Sequence, residues 1–166
     1  MRNLVALPLL GLAVILQSAV ISHVELLSGY GDIVLVLLAA WALQAQVDSA
    51  WQWAFLATIM VGFITRLPWP AVVLGYFAVI ALAYALRRRV WQAPLLAMFT
   101  VTFLGTIFMQ FASFVALSIS GNSFSAGDVL GLITLPSTLL NLLFAIPAYA
   151  FMRDLSRWVY PNEEVQ

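Results

Sequence analysis

The chain has 166 residues, 64% of them hydrophobic and 8% charged, with a mean hydropathy of +1.03. Soluble domains carry about 25% charged residues, so this composition excludes a solvated globular surface and describes an integral membrane protein. The net charge is zero, all seven basic residues are arginine, and there is no cysteine and one histidine, His23; this excludes disulfides and thiolate chemistry, and neither a metal cluster nor a nucleic-acid surface is expected.

Six apolar segments follow one another. Residues 4–21 begin like a signal peptide, but the apolar run continues past Ser18 and Ala19 to Val24, the length a membrane span needs. Segments 33–46 and 51–65 are short of the roughly 17–25 residues of a crossing helix. They need Tyr30-Gly31 and Gln52-Trp53 to reach the interfaces. Segments 70–86, 94–118 and 130–152 are long enough. GNSFSAGD at 121–128 reads as a loop, and no connection leaves room for a soluble domain. The expectation is an all-α six-transmembrane-helix bundle forming a single transmembrane domain.

Two spans carry polar stripes. Thr102, Thr106, Gln110 and Ser113 fall within about 80° of one another on a helix, with Leu104, Ile107, Phe108 and Phe111 on the other side. A polar path for a solute and a helix–helix contact both use such a stripe. Small and hydroxylated residues are the usual material of membrane helix interfaces, so packing is the expectation. In the sixth span Thr134, Thr138, Asn141, Ala145 and Ala148 form a second stripe, with Leu139, Leu143 and Ile146 largely opposite. Asn141 should therefore face protein. Pro136 is expected in the first turn, where its missing N–H is no loss, and Pro147 should bend the helix and free the carbonyl of Leu143.

Charge sets the orientation. With the N-terminus inside, Arg2, Arg87, Arg88, Arg89, Arg153 and Arg157 lie on the cytoplasmic side and only Arg66 outside, as the positive-inside rule requires. The expected topology is N-in, C-in, with Trp51, Trp53, Trp69, Trp91 and Trp158 in interfacial belts. A re-entrant pair of short segments would keep every arginine in place but move Asp48 into the membrane, at about 2.5–3.5 kcal/mol. Arg87, Arg88 and Arg89 form a basic cluster that fixes topology and can attract anionic headgroups or a cytoplasmic protein. His23, Glu25 and Asp32 share one outer loop and read as solvated. No arrangement of nucleophile and base is visible, so no enzymatic activity, cofactor or metal is expected.

LQSAVI closing the first span, GDIVLVLLAAWAL, LRRRVW closing the fourth and LPSTLLNLLFAIPAY in the sixth together resemble the bacterial rod shape-determining protein MreD family over nearly the whole chain. By position, Asp32, Arg87 to Arg89, Pro136 and Asn141 fall on its recurring features. The aspartate that many members carry shortly after the glycine of the third span is missing here, where Phe63, Ile64, Thr65 and Arg66 follow Gly62. The resemblance implies a non-enzymatic adaptor of the cell-elongation machinery in a bacterial inner membrane. Its implied partners are MreC, RodA with its penicillin-binding transpeptidase, and cytoplasmic MreB. The alternative is the substrate-binding S subunit of an energy-coupling-factor vitamin transporter, another small six-helix protein with a similar fold. That reading requires polar and aromatic side chains converging near the outer face, where this sequence offers Trp69, Asn122 and Asp128.

Overall fold

The computed structural model describes residues 5–19, 25–26, 28–65, 67–87, 93–121 and 125–160. Arg2, His23, Arg66, Arg88, Arg89, Trp91 and Asn122 lie outside the described residues. The elements in order are α1 (Ala6–Ala19), a hairpin of β1 (Glu25–Leu26) and β2 (Gly29–Tyr30), α2 (Ile33–Ala42), α3 (Ala50–Ile64), α4 (Trp69–Leu86), α5 (Pro94–Ile119), α6 (Ala126–Asp128), a π-helical segment (Val129–Thr134) and α7 (Leu135–Val159). Three stretches are long and apolar enough to cross a membrane: α4, α5 and the unbroken helical run Ala126–Val159. This is a helical membrane protein.

The bundle is organised around its shortest long element. Every residue of α2 from Val34 to Ala42 is buried, because α1, α3, α4, α5 and α7 all pack on it. Ten residues rise only about 15 Å, half of a hydrocarbon core of about 30 Å. Non-helical chain flanks it: an extended approach through Tyr30 on one side, and a turn in which Gln44 N–H bonds Trp41 O and Val47 N–H bonds Gln44 O on the other. Irregular backbone is tolerated at membrane depth only when enclosed by protein, and here Gly31, Asp32, Leu43, Gln44 and Val47 are all buried. The expected helical flank at Tyr30-Gly31 is thus replaced by an extended one.

Around α2, α4 and α5 run antiparallel with their backbones close. A methyl group at Gly75 would collide with the Met109 side chain, and one at Gly105 would lie 2.5 Å from Val79 Cγ2. Each glycine receives the large residue that the other helix presents about one turn from its own glycine, so two small positions seat two large ones. Trp53 departs from the expected interfacial belt. It is buried and stacks on Trp41 of α2 with centroids 4.4 Å apart, whereas Trp51, Trp69 and Trp158 are exposed.

The last helix also departs from expectation. It begins at Ala126 inside the expected 121–128 loop, and it continues past Met152 to Val159. Pro136 is the second residue of α7, in its first turn as expected, although the helical run is unbroken from Ala126. The π-helical segment accommodates it: the backbone N–H of Leu135 bonds Leu130 O, five residues back, and Thr134 Oγ1 donates to Val129 O at 3.1 Å. Pro147 lies inside α7 without ending it.

Candidate functional site

Proline lacks the N–H that would bond the carbonyl four residues earlier. At Pro136 the carbonyl so released is Leu132 O, and it accepts the backbone N–H of Ser28 at 3.1 Å. Two residues on, Tyr30 N–H donates to Ser137 Oγ at 3.0 Å. Two further on, Asp32 N–H donates to Asn141 Oδ1 at 2.7 Å. Alternate amides on one edge of an extended chain thus all point at the last helix. Close approach needs a residue without a side chain at the turn: a Cβ on Gly29 would stand 2.6 Å from Ser137 N and 2.8 Å from Ile133 O.

Asn141 joins this seam to a third element. Its Nδ2 donates to Thr106 Oγ1 of α5 at 2.9 Å, so its amide oxygen holds the entry to α2 while its nitrogen holds α5. Asp32 then caps α2, its Oδ1 accepting Leu35 N–H at 2.9 Å. The Tyr76 hydroxyl of α4 reaches both carboxylate oxygens at 3.4 and 3.5 Å. Gln17 of α1 accepts Val34 N–H through Oε1 at 3.3 Å and also meets the carboxylate. The Gln110 side chain of α5 meets the Tyr30 hydroxyl. Side chains from α1, α4, α5 and α7 converge on residues 28–34. Asp32 is therefore not a solvated loop residue: it is 8% exposed, and no arginine among the described residues pairs with it. Its electrostatic support comes from the N-terminal amides of α2 and from neutral hydroxyl and amide groups.

The structure places the stripe residues as follows. Thr102, Thr106, Gln110 and Ser113 on α5, and Thr138, Asn141 and Ala145 on α7, are all buried, while Leu104, Ile107, Phe108, Phe111, Leu139, Leu143 and Ile146 are exposed. Only Thr106 and Asn141 bond each other across the two helices. Thr138 and Ser113 bond their own helices at Thr134 O and Met109 O, and Thr102 Oγ1 is buried without a partner. Sequence reasoning missed Tyr30, Tyr76, Gln17 and Ser137. The signal available was Asp32 directly before an apolar run, a helix N-cap pattern.

A second cluster lies at one end of the bundle. Arg87 Nη1 donates to Val47 O at 2.7 Å and Nη2 pairs with Asp48 at 3.1 Å, which holds the α2–α3 turn at the same end as the close of α4. Arg87, Arg153 and Arg157 line a single pocket there. Comparison of the chain with protein-family models, curated proteins and solved structures finds no match.

Proposed function

We propose that this protein is a non-enzymatic membrane scaffold of the MreD type, with six spans and both termini cytoplasmic, and that it links MreC and the RodA–transpeptidase synthase to MreB in a bacterial inner membrane. The reading rests on the resemblance of span layout and short strings. The structural observation that carries it is Asn141. Both ends of its amide are used inside the chain, on Asp32 N–H and Thr106 Oγ1, as are Ser137 and the freed carbonyl of Leu132. Polar groups engaged in this way fix helix positions and leave recognition to outer surfaces. The common location of Asp48, Arg87, Arg153 and Arg157 at one end supports the proposed orientation and disfavours a re-entrant pair with Asp48 in the membrane.

Affinity purification of the full chain in mild detergent from a rod-shaped bacterial host tests the proposal. MreC, RodA and the transpeptidase should co-purify, and the Asn141→Leu variant should recover less of them. Recovery of a pair of transporter ATPases instead would replace the scaffold reading with that of a vitamin-transporter S subunit.

A further inference from the structure

The arginine pocket has a volume of about 280 Å³ and no carboxylate in its lining. Its three cations are differently committed. Arg87 is held by Val47 and Asp48. Among the described residues, Arg153 forms an ion pair only with its exposed neighbour Asp154 at 3.4 Å, a weak surface pairing, and Arg157 forms none. Two guanidinium forks thus face a cleft in which the described residues offer no acid, a geometry suited to phosphate oxygens.

A second depression lies further along the same helix. Between α5 and α7 lies an apolar groove of about 760 Å³ that includes Phe99, Phe103, Leu139, Leu142 and Ile146. On α7, Leu139, Leu142, Ile146, Tyr149, Arg153 and Arg157 follow at steps of three and four, so one stripe leads from the groove into the pocket. From Tyr149 to Leu139 the helix rises about 15 Å, half of a hydrocarbon core of about 30 Å. That is the depth of one leaflet's acyl chains.

We propose that the pocket and the groove together bind an anionic phospholipid, with its phosphate between Arg153 and Arg157 and its acyl chains along α5 and α7. A free phosphate would use only the pocket, and a partner helix only the groove; a cationic head in line with an apolar groove one leaflet deep matches a molecule that has both parts. The assignment does not depend on the scaffold reading.

Native mass spectrometry of the purified full chain, titrated with phosphatidylglycerol or with phosphatidylcholine of the same acyl chains, tests it. Phosphatidylglycerol should be retained in preference. Arg153→Gln with Arg157→Gln should weaken its retention by about thirtyfold, the factor given by about 1 kcal/mol per arginine, and leave phosphatidylcholine unchanged. Both arginines are exposed, so folding should survive, and an unchanged melting temperature verifies that. Ile146→Trp, which fills the exposed groove, should weaken phosphatidylglycerol severalfold. Equal retention of the two lipids, or no effect of the arginine pair, overturns the site. Competition by glycerol phosphate as strong as by the intact lipid, or indifference to Ile146→Trp, overturns the lipid assignment in favour of a free anion. Displacement of the lipid by an acidic peptide at lower concentration than glycerol phosphate overturns it in favour of a protein ligand.

Discussion

Replacing Asn141 by leucine removes an amide and keeps a side chain of nearly the same length. Two hydrogen bonds disappear together, from Asp32 N–H at 2.7 Å and to Thr106 Oγ1 at 2.9 Å. The consequences for the two partners differ. Thr106 lies inside α5, where its hydroxyl can turn to a carbonyl of its own helix, as Ser113 and Thr138 do. The amide of Asp32 has no such choice and is left buried without an acceptor, at a cost of about 1–3 kcal/mol. The bulkier tetrahedral fork of leucine in a close-packed site contributes about 1–3 kcal/mol more, for a total of about 2–6 kcal/mol. For a domain of this size each kcal/mol shifts the melting temperature by about 2–4 °C. Asn141→Leu should therefore lower the midpoint in detergent, followed by fluorescence-detected size exclusion, by about 4–24 °C. Leu143→Phe, two residues away and 68% exposed on the opposite face, should leave it unchanged. Equal midpoints for the two variants, or the reverse order, would refute the role given to the seam.

Substitutions at three further positions probe neighbouring parts of the bundle in the same melting assay. Gly29→Ala puts a methyl group against Ser137 N and Ile133 O, both backbone atoms, so it should destabilise by more than about 2 kcal/mol; a silent result would mean the turn does not lie on the last helix. Thr102→Val replaces a buried hydroxyl that has no partner with a methyl of similar shape. It should stabilise by up to about 1 kcal/mol, whereas a loss would reveal a partner for that hydroxyl. Asp32→Asn keeps an oxygen acceptor for Leu35 N–H, since asparagine caps helices about as well as aspartate, and should change stability little. Asp32→Leu should cost about 1–2 kcal/mol for the lost cap, and equal effects of the two would shift the role from capping to charge.

Helical periodicity made part of this site legible. The stripes on α5 and α7 follow from residue spacing alone, and the positions opposite them are the exposed ones. Periodicity does not say what a stripe meets. The acceptor bond of Asn141 goes to a backbone amide 109 positions earlier in the chain, and no spacing rule reaches that far. Asp32 reads as solvated because it shares an outer loop with His23 and Glu25, yet its position before IVLVLL is that of an N-cap. Two glycines and an aspartate in GYGD read as loop chemistry, and only the enclosing helices turn that loop inward. The local rule placed Pro136 correctly in the first turn of α7, but composition carries no signature for the π-helical segment that precedes it. Gly75 and Gly105 went unnoticed for a similar reason: their use is a property of two helices facing each other.

The central claim is that the polar residues of this bundle hold its shape instead of opening a path or a binding site. Amide hydrogen exchange of the full chain in nanodiscs, resolved at Ser28, Tyr30 and Asp32, tests that most directly. The account predicts that these three amides exchange as slowly as the core of α2, since each is donated to the last helix. Rapid exchange at all three, with α2 and α7 still protected, would mean that the hairpin lifts off as a gate, and the scaffold reading would give way to a transporter.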